Sequence, residues 1–228
     1  MVSLSVIIPT WNEAASIAAA IASAVEGGAD EVIVADGGSE DRTIEMATAA
    51  GAVVVESPPG RGPQQNAGAR VAHSDWLLFL HADCRLQDGC RMAIEDAAAA
   101  SEGIVAGGFA QRIDSDAAIY RLIEEGNAFR GWRGRLFGDQ AIWVRRDRFR
   151  DVGGFPDWPL FEEVELCRRL GLGWNTRVLL EPPVIVSPRR WQERGVVRQT
   201  LLNWRLQWAY RFGVPPEELA RRYRARRS

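Results

Sequence analysis

Short apolar runs alternate with helical patterns over the first 80 residues of this chain. Residues 3–9, 31–35, 52–56 and 76–80 are rich in Val, Ile and Leu, and helical patterns separate them. Apolar runs of this length are typical of strands that are buried on both faces of a sheet. Right-handed β-α-β crossovers then predict an α/β fold, with a mostly parallel, Rossmann-like central sheet flanked by helices.

Polar residues follow three of these runs at the point where each strand would end. Thr10 and Glu13 follow the first run, Asp36 follows the second, and His81 and Asp83 follow the fourth. In an open α/β sheet, the carboxyl ends of the strands line the crevice where ligands bind. A carboxylate there can accept a hydrogen bond from a ribose hydroxyl or bind a divalent cation beside a diphosphate. Any one cluster could be an ordinary polar turn, but three together favour one site.

Two further segments carry candidate chemistry. The Gly- and Pro-rich residues 57–63 place Arg61 just ahead of a helix predicted over 64–73, where a phosphate could bind, although most such loops are only turns. Glu162, Glu163 and Glu165 begin another predicted helix. Three carboxylates this close together are costly to bury without a cation or a proton. A solvated first turn, favoured by the helix dipole, is the alternative.

Composition narrows the class of protein. The 228 residues suffice for one sizeable core, and no apolar run approaches the roughly 20 residues that span a bilayer. The first residues lack the basic region of a signal peptide, and three cysteines without zinc-like spacing predict free thiols in a reducing cytosol. The chain has no Lys, which leaves no amine for Schiff-base chemistry.

The charge is unevenly distributed along the chain. From residue 187 onward, eleven arginines and three glutamates give a net charge of +8, whereas the whole chain carries −2. Two terminal helices are predicted in this segment, over 195–212 and 215–227, after one or two last strands over 174–186. A basic tail of this kind can face an anionic ligand, a membrane surface or water. No nucleic-acid partner is expected.

With these pieces in order, the chain resembles family 2 glycosyltransferases of the GT-A fold. The matching segments are VIIPTWNE, VIVADGGSEDRT, GRGPQQNAGA, LLFLHADC, GDQAIWVRR, GGFPDWPLFEEVEL and SPRRW, which occur in the family's order over residues 3–191. The chain looks most like a small soluble bacterial subgroup with HAD in place of Asp-x-Asp, some members of which are called arsenosugar-biosynthesis glycosyltransferases. The resemblance implies a nucleotide-diphosphate-sugar donor (UDP favoured, GDP possible), Mn²⁺ or Mg²⁺, and inversion at the anomeric carbon.

The resemblance also implies roles for particular residues. The nucleotide-sugar site would comprise Pro9, Thr10, Glu13, Asp36, Arg61, Gln65, Arg189, Arg190 and Trp191. Asp83 would ligate the metal, and His81, which replaces the first acid of the family motif, could contact the ribose or the metal as a neutral imidazole, or merely fill space. Glu163 would be the general base, with Glu162 and Asp139 as rivals.

The resemblance further predicts how the chain is divided. Residues 1–228 would form one domain, in which 1–113 bind the donor, 114–191 bind the acceptor and catalyse, and 192–228 form C-terminal helices. The acceptor would be a small molecule or lipid-linked, and the protein cytoplasmic, with peripheral membrane contact through those helices a further possibility. Two other functions stay open: a decayed, non-catalytic nucleotide-sugar-binding module and a sugar-phosphate nucleotidyltransferase. The second is disfavoured because the segment PTWNE lacks a basic residue.

Overall fold

The computed structural model describes residues 2–100, 103–173 and 177–224. Eight strands lie in this part of the chain: β1 (Leu4–Thr10), β2 (Glu31–Asp36), β3 (Val53–Glu56), β4 (Trp76–Phe79), β5 (Cys84–Arg85), β6 (Ala106–Ile113), β7 (Ile142–Arg145) and β8 (Arg177–Val186). The helices are α1 (Ile17–Glu26), α2 (Thr43–Ala49), α3 (Arg61–Val71), α4 (Cys90–Ala100), α5 (Ala118–Trp132), α6 (Arg146–Asp151), α7 (Glu162–Arg169), α8 (Arg189–Arg194), α9 (Val196–Arg211) and α10 (Pro216–Arg224). A 3₁₀ turn spans Gly138–Gln140.

The strands form one sheet in the order β3-β2-β1-β4-β7-β6-β8-β5. Strands β1 to β4 pair in parallel, as the predicted β-α-β units require. Strand β7 then runs antiparallel to both β4 and β6, while β6 and β8 are parallel and β5 is antiparallel to β8. The prediction of a single α/β domain with a mostly parallel sheet is therefore confirmed, and the second half of the chain completes the same sheet.

The core lies on both faces of the sheet. Along β4, Trp76 and Leu78 pack into the cluster that contains α1 and α4 side chains, whereas Leu77 and Phe79 pack into the cluster on the α3, α6 and α7 side. Alternate side chains of a strand point to opposite faces, so an unbroken apolar run fills both clusters. The strand therefore anchors the residues that follow it between two layers of packed side chains.

Several predicted boundaries are shifted in the structure. Helix α3 begins at Arg61, not at residue 64, so Arg61 belongs to the first helical turn and not to a preceding loop. Residues 174–176 of the predicted last strands and 225–227 of the predicted last helix lie outside the described residues. The rest of the strand prediction is one strand, β8, with a register shift opposite β6 near Phe109. Strand β5 and helices α6 and α8 are too short for periodicity to reveal.

The C-terminal helices pack beside α7. Phe161, just before α7, forms a buried cluster with Leu202 and Leu206 of α9 and Leu219 of α10. The region predicted to form C-terminal helices thus packs against the segment that carries Glu162 and Glu163. In the described residues, no helix is both long and apolar enough to cross a membrane.

Candidate functional site

The carboxyl ends of β1, β2 and β4 lie side by side, because the three strands are parallel neighbours. Thr10 pairs in register with Asp36, and the Leu80 N–H donates to the Ile7 carbonyl where β4 ends. Thr10, Asp36 and His81 are all buried, while Pro9 and Glu13 are partly exposed at the same edge. The structure therefore brings the three predicted strand-end clusters to one edge of the sheet, here called the crevice.

Asp36 organises the turn that follows β2. Its carboxylate accepts hydrogen bonds from the backbone N–H groups of Gly38 (2.9 Å) and Ser39 (2.8 Å), from the Ser39 hydroxyl and from the Thr10 hydroxyl. Asn12, at φ 54°, joins this turn to the β1 loop: its side-chain oxygen accepts from the Glu40 N–H at 2.9 Å. The two loops are thereby fixed to each other.

Gln64, which the sequence analysis did not name, lies at the ends of β1 and β2. Its amide donates to the carbonyls of Thr10 and Ala35, which tie α3 to the ends of β1 and β2. Gln65 is fully buried, and its amide donates to the Arg61 carbonyl at 3.1 Å. Gln65 thus supports the first turn of α3, and Gln64 is the glutamine at the strand ends. The sequence analysis named Gln65 from the resemblance, and two adjacent glutamines give no further sequence signal that tells them apart.

Asp83 lies among arginines from α8. Its Oδ2 is 3.5 Å from Arg190 Nη2 and 3.8 Å from Arg189 Nη2, and Arg189 also approaches Glu13 Oε1 at 3.4 Å. Burial would raise the pKa of Asp83, but Arg190, His81 and Arg189 together hold that pKa below its usual range. The crevice therefore contains an ionised carboxylate and two guanidinium groups, which can turn towards an anionic ligand.

Trp191 is buried, unlike its neighbours Arg189 and Arg190. Its ring packs in the core against Tyr120, with ring centroids 6.0 Å apart, and only 8% of the residue is exposed. The prediction that Trp191 lines the donor site is therefore not supported by its position. The buried ring anchors the short helix α8, which holds Arg189 and Arg190 at the mouth of the crevice.

Glu162 and Glu163 open α7 inside the protein and not on its surface. Both are almost fully buried, which excludes a solvated turn. Arg61 Nε lies 2.9 Å from Glu162 Oε1, and Arg61 Nη1 lies 3.6 Å from Glu163 Oε1. Glu165, the third carboxylate of the cluster, instead pairs with Arg168 and Arg169 on its own helix. One cation thus serves two buried carboxylates, so they cannot both ionise without a large penalty.

The pKa values of Glu162 and Glu163 are shifted in opposite directions. Burial, with Glu163 adjacent, raises the pKa of Glu162 to about 8 even though Arg61 opposes the shift. Burial acts on Glu163 in the same direction, but Arg61, His81, a backbone hydrogen bond and the hydrogen bond with Glu162 together outweigh burial and lower the pKa of Glu163. Burial and Arg61 also lower the pKa of His81, so the imidazole is neutral near pH 7. At that pH the pair therefore shares one proton, held by Glu162, and Glu163 carries the charge.

His81, two residues before the candidate metal ligand Asp83, lies next to the pair formed by Glu162 and Glu163. Its Nε2 lies 3.9 Å from Glu163 Oε1 and has no hydrogen-bond partner among the described residues. A Cβ at Gly138 would lie 2.0 Å from the same nitrogen and 2.8 Å from Glu163 Oε1. Only glycine therefore fits at 138, and the imidazole faces the carboxylate. The sequence analysis missed Gly138, although its place directly before Asp139 in a matching segment was a signal.

Residues with a strained backbone conformation lie close in sequence to Glu162 and to Asp139. Phe161, directly before Glu162, has φ 65°, and Ala141, two residues after Asp139, has φ 44°. Non-glycine residues in this region cost about 1–3 kcal/mol each and cluster at functional sites. Asp139 is partly exposed, and its buried Oδ1 has no hydrogen-bond partner among the described residues. Its charge helps to raise the pKa of both Arg61 and Arg190, so it lies in the same electrostatic environment.

The side-chain atoms that could ligate a metal ion are few, and they fit an ion that takes most of its ligands from substrate and water. Within the described ranges, no three His, Cys, Asp or Glu side chains converge to hold an ion by themselves. Asp83 offers one carboxylate, and its ion pairs with Arg189 and Arg190 are long. Mg²⁺-type ions are commonly held by one or two carboxylates together with phosphate oxygens and water. The residues present therefore fit an ion that arrives with a diphosphate.

Comparison with known proteins gives this geometry a context. The model for glycosyl transferase family 2 matches residues 5–153. A PGL/p-HBAD biosynthesis glycosyltransferase of Mycobacterium bovis is 25% identical over 88% of this chain and 96% of its own length. An uncharacterized glycosyltransferase of Rickettsia bellii is 41% identical, but over 40% of this chain and 31% of its own length. The chain spans about a third of the first curated relatives that it matches.

Solved structures share the fold. The mannosyltransferase PcManGT of Pyrobaculum calidifontis, in complex with GDP-Man and Mn²⁺, aligns with a TM-score of 0.65 and 22% identity over 95% of this chain and 66% of its own. The S. aureus TarS fragment 1–349 aligns with a TM-score of 0.62 and 18% identity over 84% and 62%. At these identities the likeness establishes the GT-A fold.

Proposed function

Because the chain belongs to glycosyl transferase family 2, we propose that it moves a sugar from a nucleotide-diphosphate-sugar to an acceptor hydroxyl. The observation that carries the proposal is the buried pair in which Glu162 keeps a proton and Glu163 keeps its charge. His81 links this pair to the strand end that carries Asp83. A charged carboxylate is what a general base requires, and the crevice with Asp36 and Asp83 is where a nucleotide diphosphate would bind.

Each residue has a distinct part in the proposed reaction. Glu163 takes the proton from the acceptor hydroxyl, whose oxygen then forms a bond to the anomeric carbon of the donor. The bond from that carbon to the diphosphate breaks with its electron pair, and a single displacement inverts the anomeric configuration. Arg189 and Arg190 stabilise the negative charge that develops on the diphosphate. Glu162 is protonated and neutral, so it does not compete with the charged Glu163 for the ion pair with Arg61.

A divalent cation would be held by Asp83 in this scheme. When bound, Mn²⁺ or Mg²⁺ would supply positive charge beside the leaving diphosphate. His81 remains a second candidate ligand, although its Nε2 faces Glu163. Asp36 would contact the nucleoside, with Pro9, Thr10 and Glu13 lining the same pocket. We propose UDP as the favoured carrier and GDP as the alternative, because related folds have been solved with each.

We also propose that the protein acts in the cytoplasm. The acceptor would be a small molecule or a lipid-linked molecule, and a peripheral contact with the inner face of the membrane would suit the second. Glu163 is preferred over Glu162 and Asp139 as base because it is the buried carboxylate whose pKa is lowered beside the crevice.

Nucleotide binding tests the donor site. Titration calorimetry of UDP and of GDP, with and without Mn²⁺, should show one nucleotide binding in a metal-dependent way to the wild type. Asp83→Asn should abolish the metal dependence, whereas Asp114→Asn should not, since Asp114 also pairs with an arginine but on the exposed end of β6. Equal metal-dependent binding by Asp83→Asn would contradict the assignment of Asp83.

Donor hydrolysis tests the catalytic assignment without knowledge of the acceptor. Release of UDP or GDP from the matching sugar donor should fall about 10²- to 10⁴-fold in Glu163→Gln, the usual contribution of a general base. Glu162→Gln should retain most of the rate, because an amide resembles the protonated carboxyl that it replaces. Nucleotide binding without any hydrolysis by the wild type would instead support a non-catalytic binding module.

A further inference from the structure

Helix α9 has two apolar faces, and one of them is exposed. Leu202 and Leu206 are buried against Phe161 and Leu219 on the inner face. The outer face carries five large apolar side chains spaced four, three, four and four residues apart, which places them along one side of the helix and its C-terminal cap. These residues, here called the outer stripe, are Val197, Leu201, Trp204, Trp208 and Phe212, each at least 50% exposed. A contiguous apolar surface of this kind marks an interaction site.

The charge beside the outer stripe is of one sign. Arg198, Arg205 and Arg211 are exposed on α9, and the helix contains no Asp or Glu. Tryptophans combined with arginines along one helix are typical of a surface that lies in the headgroup region of a membrane, where each arginine gains from anionic lipid. A protein partner would need a matching acidic and apolar surface, whereas an anionic bilayer supplies both properties everywhere.

Helix α5 provides the contrast within the same protein. It also exposes large apolar side chains, including Leu122 (66%) and Phe129 (52%). However, α5 carries Glu124 and Glu125, which balance its two arginines. Apolar exposure alone therefore does not distinguish the two helices, but the net positive charge of α9 does.

We propose that the outer stripe of α9 binds the surface of an anionic membrane. The inner face of the same helix reaches the candidate catalytic turn, since Tyr210 contacts Phe161 with ring centroids 4.8 Å apart and Phe161 directly precedes Glu162. A helix with its side chains is about 10–12 Å across, so membrane binding places that turn about one helix diameter from the headgroups. This favours an acceptor anchored in the membrane, a consequence that rests on the proposed transfer reaction.

Vesicle sedimentation tests the proposal with the full chain. The wild type should sediment with vesicles of phosphatidylcholine and phosphatidylglycerol, but not with phosphatidylcholine alone, and the binding should weaken as salt is raised. Trp204→Ser/Trp208→Ser should bind the anionic vesicles at least about tenfold more weakly, because two large apolar groups are removed from the contact. The matched control Leu122→Ser/Phe129→Ser on α5 should bind like the wild type.

The companion measurements separate failure of this proposal from failure of the proposed function. Calorimetric nucleotide binding by both double variants should equal that of the wild type, which also shows that the variants are folded. Absence of vesicle binding by the wild type, or equal binding by Trp204→Ser/Trp208→Ser, would overturn the membrane proposal while leaving the donor site intact. If light scattering shows a wild-type dimer that this variant converts to a monomer, the outer stripe is a contact between two copies and the proposal is likewise overturned.

Discussion

Replacing Glu162 by glutamine should stabilise the protein near neutral pH. Glu162 is fully buried, and burial together with the adjacent Glu163 raises its pKa from the ordinary 4.5 to about 8. Between those two pH values, the folded chain keeps a proton that the unfolded chain loses. Because the folded state binds more protons there, the free energy of unfolding decreases as the pH rises from 4.5 to 8.

The size of the effect follows from the width of that window. Each pH unit within it lowers the free energy of unfolding by about 1.4 kcal/mol, so the wild type loses about 3 kcal/mol between pH 4.5 and pH 7. Glutamine cannot ionise and therefore escapes this loss. The stability of Glu162→Gln relative to the wild type should rise from less than about 1 kcal/mol at pH 5 to about 3 kcal/mol at pH 7.

Urea unfolding at pH 5, 6 and 7 provides the assay. The matched control is Glu165→Gln in the same helix, because the hydrogen bond from Arg168 lowers the pKa of Glu165. That carboxylate is ionised in both states above pH 5, so the difference between Glu165→Gln and the wild type should stay constant from pH 5 to 7. A difference for Glu162→Gln that also stays constant over this range would refute the assignment of the shared proton to Glu162.

Two further outcomes are expected. Gly138→Ala should lower the rate of donor hydrolysis at least about tenfold and destabilise the fold by about 1–3 kcal/mol, because its Cβ would collide with His81. Gly126→Ala, in the open middle of α5, should instead stabilise by about 1 kcal/mol, and a similar urea midpoint for both variants would contradict this reading. Glu31→Gln should destabilise by about 2 kcal/mol at pH 7, since hydrogen bonds from Ser5 and the backbone lower the pKa of Glu31 against its burial. The destabilisation should shrink as the pH falls through that lowered pKa, and a constant difference between pH 7 and pH 3.5 would count against it.

Much of the first half of the fold could be predicted because its signals are local. An apolar run such as residues 76–80 specifies a strand buried on both faces, and the handedness of β-α-β units then fixes parallel neighbours. Asp36 ends β2 and Asp83 comes four residues after the end of β4, so their shared crevice was also predictable. The antiparallel insertion of strand β7 between β4 and β6 was not predicted, because pairing over such distances leaves no local pattern.

The short elements and the exact helix starts were harder to predict. Helix α3 begins three residues earlier than its Gly- and Pro-rich sequence suggested, because proline and glycine are tolerated in a first helical turn. The sequence did not indicate that the Trp191 ring packs on Tyr120, because a tryptophan next to arginines is equally compatible with a contact to a ligand.

The sequence by itself determined the parallel first half of the sheet, the crevice at its strand ends and the polar residue types that line this crevice. Only the tertiary structure decided which of two adjacent glutamates keeps its charge, because a pKa depends on burial and on Arg61, a cation 101 residues earlier in the chain. It also decided which face of α9 is exposed. Both faces carry apolar residues at helical spacing, and the packing of Leu202 and Leu206 on Phe161 leaves the tryptophans outside.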